Sequence, residues 1–221
     1  MVEVRSYRLP PTKLVPNSPR PLLHYPGLLQ RETPADIHNL LKSNGWQTQW
    51  VFRYGATQDS HYHSAAHEAM VVLSGTAIVR FGVADTVADL EQNTHGDGKE
   101  PGGIEIKANT GDVFVLPAGL AHKTFDTSPS ESFRLLTPGE AKGIAAEDVG
   151  KALNEIQLSG FTMLGAYPQG SKWDFKRSAE DHGQFEKSWS VPRPARDPVL
   201  GDAVEGICGQ WNDASVFKGR L

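Results

Sequence analysis

A chain of 221 residues with a formal net charge of −4 can bury a sizeable core in one domain. It carries no basic block, which excludes nucleic acid and anionic membrane as expected partners. The single cysteine, Cys208, leaves no intramolecular disulfide, and neither an apolar leader nor an apolar run of about 18 residues is present, so a cytoplasmic protein is expected.

Residues 1–32 are extended and punctuated by Pro10, Pro11, Pro16, Pro19, Pro21 and Pro26. Proline lacks a donor and resists helix, so this segment reads as an arm laid over a sheet. Thr33 then supplies a capping hydroxyl, Pro34 a first helical residue and Asp36 an acid in the first turn. Ile37, Leu40 and Leu41 form one apolar face of the resulting helix, and Asn44-Gly45 ends it.

From Trp46 the period changes to that of strands, expected at 46–54, 68–73, 76–81, 104–108, 113–116, 121–125, 132–136 and 161–167. Such a series of short strands with Gly-rich turns implies an all-β sandwich or barrel, with an interior large enough for a small ligand. Trp46, Trp50, Phe52 and Tyr54 read as core. Two insertions interrupt the series. Residues 83–103 are acidic and glycine-rich and read as a solvated loop. Residues 137–158 place Val149, Leu153 and Ile156 on one face of a short helix, suited to covering a barrel mouth or to dimerisation. The expected organisation is an N-terminal arm and helix (1–45), a barrel (46–170) and a C-terminal arm (171–221). Trp173, Phe175 and Trp189 in that last arm call for burial on the chain's own barrel or on a partner's.

The chemistry gathers in two stretches. His61 and His63 are two apart, so an extended backbone projects both from one face. Glu68 follows on the next strand, and His122 opens another apolar segment after a Pro117–Gly119 turn. Three imidazoles and a carboxylate are a ligand set for a divalent metal ion. His67 competes with Glu68, because neighbouring residues of a strand face opposite ways and only one can enter the barrel. With Glu68 inward, His67 turns outward, as a residue orienting a ligand or as the alternative ligand. Met70 shares the face of Glu68, and Thr124 and Asp126 share that of His122, which makes these three candidates for touching a substrate. No nucleophile elbow, phosphate loop, dinucleotide fingerprint or cysteine pair offers a competing chemistry.

The spacing G-x5-H-x-H-x4-E-x6-G from Gly55 to Gly75, and G-x5-P-x-G-x2-H from Gly111 to His122, resembles the two motifs of the cupin superfamily. The second motif usually closes on Asn, where Asp126 stands here. Pro16-Asn17, Asn44-Gly45-Trp46, Gly165-Ala166-Tyr167-Pro168 and the stretch from Asp197 to Gly201 are similar to the YjlB-like single-domain branch. The resemblance implies a cupin jelly-roll barrel (a double-stranded β-helix), in many small members a homodimer, with His61, His63, Glu68 and His122 as metal ligands. It implies a metal-dependent enzyme acting on a small organic molecule, foremost an Fe(II) dioxygenase. A zinc, manganese or nickel isomerase, cyclase or lyase, and a non-catalytic small-molecule-binding cupin, stand as the alternatives.

Overall fold

The computed structural model describes residues 2–211; the last ten residues of the expected C-terminal arm lie outside the described residues. In chain order the elements are β1 (Arg5–Tyr7), β2 (Leu22–Tyr25), α1 (Pro34–Ser43), β3 (Trp46–Arg53), β4 (Glu68–Ser74), β5 (Thr76–Phe81) and α2 (Leu90–Thr94). There follow β6 (Ile104–Asn109), β7 (Val113–Leu116), β8 (His122–Ser128), β9 (Arg134–Leu135), α3 (Val149–Asn154), β10 (Thr162–Pro168), α4 (Glu186–Trp189) and α5 (Ile207–Gln210). The strands form an antiparallel sheet ordered β1-β2-β7-β4-β10-β3-β9 and a smaller one ordered β6-β5-β8.

Alternation along the strands builds two apolar layers. Met70 and Val72 of β4, Phe114 and Leu116 of β7, and Met163 and Tyr167 of β10 meet Val79 and Phe81 of β5 between the sheets. The intervening residues Ala69, Val71, Val113, Val115 and Leu164 face the other way and are also buried. Their cover is α1 through Ile37 and Leu41, α3 through Leu153, and the C-terminal arm through Ile207 and Trp211. Burial on both faces explains why β4 and β7 read as continuous apolar runs.

Most strands lie where the sequence places them, and the arms differ. The proline-rich N-terminal segment is part of the sheet: β2 pairs with β7, with Leu23 opposite Val115 and Tyr25 opposite Val113. Its prolines flank β2, so no ladder donor is lost. Residues 83–103 are more than a solvated loop. Asn93 and Thr94 are buried, and their carbonyls accept hydrogen bonds from Arg80 at 3.0 and 2.6 Å. Lys123, fully buried, reaches Asp85 at 3.2 Å in the same segment. Helix α3 packs against α1, away from the barrel mouth.

Thr33 caps α1 through a reciprocal capping box with Asp36. In β3 an irregularity in the pairing with β10 sets Gly165 opposite Trp50 but Ala166 opposite Thr48, so Gln49 is an extra residue. That bulge sends Trp46 to the outer layer and Trp50 to the inner one, so both are core, as read from the sequence, but in different layers. Gly165 makes room for it: a Cβ there would sit 2.1 Å from the Trp50 ring.

The C-terminal arm is pinned by Asp197, which is fully buried. Its carboxylate accepts from the Tyr25 hydroxyl at 2.5 Å and from the backbone N–H of Val199, Leu200 and Ile207 at 3.0, 2.9 and 3.0 Å. Truncation to Asp197→Ala leaves those donors buried and unpaired, a loss of about 3 kcal/mol or more. Urea denaturation of the variant is expected to show a midpoint lowered accordingly; an unchanged midpoint would mean the arm does not contribute to stability.

Candidate metal centre

The two histidine-bearing stretches are joined by their backbones before their side chains meet. His61 N–H donates to the His122 carbonyl at 3.1 Å and His122 N–H to the His61 carbonyl at 2.8 Å. His63 is tied to the Pro117–Gly119 turn by Gly119 N–H, 2.8 Å from its carbonyl. Gly119 adopts φ +89°, and a Cβ there would fall 2.5 Å from the Asn17 carbonyl oxygen, so glycine is required. Asn17 of the N-terminal arm also accepts from Ala121 N–H at 3.2 Å, fixing the residue before His122.

The ring nitrogens of His61, His63 and His122 converge within 4.8 Å of one another, all buried. Each Nδ1 faces a backbone carbonyl: Asp59 for His61 at 3.2 Å, Leu120 for His122 at 3.1 Å, and Asp174 at short range for His63. A carbonyl only accepts, so each Nδ1 carries a proton; Nε2 of His61 and of His122 then presents its lone pair, while Nε2 of His63 faces Glu68, which favours a second proton on that ring. Glu68 enters from the start of β4, with Oε1 3.3 Å from His63 Nε2 and Oε2 3.4 Å from His122 Nε2. Oε2 is buried and accepts no hydrogen bond, whereas Oε1 accepts a short one from the Tyr167 hydroxyl. Tyr167 in turn accepts from Trp50 Nε1 at 3.3 Å.

Burial, followed by the neighbouring His122 and His63, lowers the His61 pKa well below its usual value. Burial likewise lowers His122 to about 4, against the pull of Glu68. For Glu68, burial acts to raise the pKa, but His63, His122 and the Tyr167 hydroxyl outweigh it and hold the carboxyl at about 2. His63 follows the reverse balance: burial opposes its charge, while Glu68 and the Asp174 carbonyl raise its pKa. Neutral His61 and His122 beside an ionised Glu68 is the protonation state that ligation of a divalent ion needs. The convergent lone pairs and the unpaired carboxylate oxygen fit such an ion.

Above this cluster lies a cavity of about 140 Å³. Met70 lines it with Trp50, Phe52, Tyr54, Gln58, Phe133, Tyr167, Trp173 and Phe175. Trp50, Phe52 and Tyr54, read from the sequence as core, thus also form cavity wall. Trp173 and Phe175 come from the C-terminal arm and were not expected at the site. Phe175 stacks on His61, ring centroids 4.0 Å apart, and Trp173 meets His63 edge-on at 5.3 Å. Asp174 between them accepts from Ser64 N–H at 2.7 Å and from the Ser64 hydroxyl at 2.5 Å. The available sequence signal was the spacing of two between Trp173 and Phe175, the same alternation that pairs His61 with His63.

Three expected positions lie elsewhere. Thr124 is buried near His122 but does not line the cavity, and its hydroxyl finds no partner. Asp126 leaves the face of His122 because its backbone turns left-handed, φ +51°, which aspartate tolerates. It is exposed, 3.3 Å from His95. His67 faces away from the cluster: Nδ1 accepts from Ala118 N–H at 2.9 Å, Nε2 lies 3.1 Å from the Pro192 carbonyl, and its ring packs on Trp211. That orientation turns it away from the other histidines, its partners being the Pro117–Gly119 turn through Ala118 and the C-terminal arm through Pro192 and Trp211.

A protein-family model described as Cupin matches residues 19–136. The chain belongs to the cupin family. It is 27% identical over 205 residues to a Bacillus subtilis (strain 168) protein called uncharacterized protein YjlB, covering 90% of this chain and 92% of that one. Among solved structures, procruciferin, an 11S globulin from Brassica napus, is similar with 11% identity and a TM-score of 0.29, over 57% of this chain and 21% of its own. The cupin described here thus spans about a fifth of that globulin's length. RemF from Streptomyces resistomycificus, titled a polyketide cyclase, is similar with 10% identity and a TM-score of 0.29, over 83% and 86% of the two chains. Among the described residues of this cupin, no helix is long and apolar enough to cross a membrane.

The environment of His67 generates a pH dependence. Burial, with Arg20 beside it, lowers its pKa from 6.5 to about 3. Between those values the unfolded chain binds a proton that the folded protein refuses, so stability falls as pH drops, by about 1.4 kcal/mol per unit for this group. Denaturation midpoints measured from pH 7 to pH 4 should therefore decline less steeply for His67→Gln than for the wild type. Parallel profiles would show that His67 is not held neutral.

Proposed function

We propose that this cupin is a metal-dependent enzyme of oxygenase type acting on a small organic molecule. The observation that carries the reading is the orientation of the histidines. Nδ1–H of His61, His63 and His122 is committed to carbonyls, their ring nitrogens converge, and Nε2 of His63 and of His122 lies beside an ionised glutamate. Packing histidines have no need for such convergence, and the cost of burying Glu68 without an arginine or lysine beside it is relieved by a cation among the rings.

Bound Fe(II), the ion favoured for this set, would supply the open positions and electrons that oxygen chemistry requires. The chain's own residues do the rest. Glu68 cancels one charge, so a divalent ion with three neutral imidazoles carries a net +1. Tyr167 holds Glu68 Oε1 and thereby directs Oε2 toward His122. The aromatic wall excludes water from the reacting face, and the Asp174 carbonyl, secured through Ser64, fixes the His63 ring.

Elemental analysis of the purified wild type beside His63→Ala tests the site. Near-stoichiometric divalent metal is expected in the wild type, with at least a tenfold loss of affinity in the variant. No metal in either protein after anaerobic reconstitution would overturn the metal reading. For the reaction type, the iron-loaded protein is expected to consume oxygen with a suitable substrate. Turnover that survives replacement of iron by zinc without oxygen would assign Lewis-acid chemistry instead.

A further inference from the structure

We infer that the cavity selects a planar, single-ring aromatic molecule bearing oxygen substituents, neutral in solution or singly deprotonated when bound. The inference deepens the proposed function and rests on it for the contact between the substrate's oxygens and the metal. Three independent features of the cavity lead to it.

The first is composition. Rings of Trp50, Phe52, Tyr54, Phe133, Trp173 and Phe175 form the wall, and no lysine or arginine is part of it. Lys142 lies 3.3 Å over the Trp173 ring and the Arg177 guanidinium 5.0 Å over that of Phe175, but neither lines the cavity. Aromatic faces and edges complement another aromatic ring, whereas a carboxylate placed among them would have no donor but Gln58 and the rings' own polar atoms.

The second is charge. Glu68 is the sole charged side chain in the lining, so an ion of +2 leaves the centre at +1. A singly deprotonated phenol or catechol brings the buried assembly to neutrality. A dicarboxylate would leave it at −1 with no cation in the wall to answer it.

The third is size. The cavity measures about 140 Å³, and an apolar cavity of roughly 150 Å³ accommodates one benzene ring. One ring fills it, and a fused pair would have to project past the exposed rim. The entrance agrees with this chemistry: Phe133 is 58% and Phe175 43% exposed, the two rings forming an apolar rim. Trp173 and Phe175 are therefore specificity-determining residues, contributed by an arm outside the barrel strands.

The test is calorimetric titration of the full-length zinc-loaded protein, in which no oxygen chemistry proceeds, with catechol, oxalate and 2,3-dihydroxynaphthalene. Catechol is expected to bind at least tenfold more tightly than either of the others. Trp173→Ala and Phe175→Ala are each expected to weaken catechol by about tenfold, the scale of one lost aromatic contact. Trp173→Phe, which keeps a ring, should recover most of that loss. Zinc content is measured in each variant, so that lost metal is not mistaken for lost ring binding. Oxalate binding as tightly as catechol, or variants with unchanged affinity, would overturn the inference. If the wild type takes up no zinc, the metal reading fails on its own, and phenol titrated into the metal-free protein decides the ring: binding that Phe175→Ala weakens upholds the single-ring class, and no binding sinks it.

Discussion

The site depends on backbone hydrogen bonds between the stretch before β4 and β8: those exchanged by His61 and His122, with Gln58 N–H to the Thr124 carbonyl and Asp126 N–H to the Ala56 carbonyl beyond them. They lock the extended stretch before β4 to the start of β8, and so bring residues sixty positions apart into one register. Once that pairing exists, alternation places the side chains with little further freedom. His63, two residues from His61, returns to the same side, and its carbonyl catches Gly119 N–H to close the turn ahead of His122. Carbonyls of Asp59 and Leu120, each two residues before its histidine, then choose the ring nitrogen offered inward. Local backbone thus sets the tautomer for two of the three rings. Only His63 takes its carbonyl from a distant segment, Asp174.

That exception couples the C-terminal arm to the centre of the barrel. Asp174 serves His63 with its carbonyl and Ser64 with its side chain, and the flanking Trp173 and Phe175 cover the rings of His63 and His61. The next residue, Lys176, pairs its backbone with Tyr62 in both directions, at 2.9 and 3.0 Å. Lys176 thus forms an isolated antiparallel bridge beside the first motif, and Asp174 adds side-chain hydrogen bonds to the same stretch. Farther on, the same arm buries Trp211 against the outer layer and anchors itself through Asp197. The arm is at once a wall of the cavity and a cover for the far face of the larger sheet, and loosening either end weakens a support of the other.

Much of this was legible in the sequence because period-two patterning is a local property. Glu68, Met70 and Val72 declare an inward face by their spacing, and His67 is thereby sent outward; the structure places each accordingly. What escaped has a physical cause in each instance. Strand β2 is flanked by prolines, which argue against a strand until one sees that it needs donors only along residues 22–25. Alternation also fails wherever the backbone breaks step. Gln49 adds a residue to β3 and separates Trp46 from Trp50, and Asp126 adopts a left-handed conformation that turns it away from His122. The cavity wall from Trp173 and Phe175 was hidden for another reason: their spacing of two marks a shared face, but local pattern does not say which segment more than a hundred residues away that face meets.

The buried carboxylate links these features to chemistry. Glu68 lies among imidazoles and aromatic rings, with the Tyr167 hydroxyl as its hydrogen-bond donor and no lysine or arginine in the cavity wall. A bare charge in such surroundings is strongly unfavourable, and the protein meets it by raising the proton affinity of His63 while keeping His61 and His122 neutral. A divalent ion held by His61, His63 and His122 would compensate the same charge more completely, because it would take lone pairs from all three rings where a proton satisfies one. A proton on His63 and a divalent ion would therefore compete for one arrangement of side chains, so metal binding there would be favoured by conditions that deprotonate His63. The aromatic wall would sharpen this competition: because it brings no lysine or arginine to the cavity, an ion bound among the rings would be the principal counter-charge to Glu68.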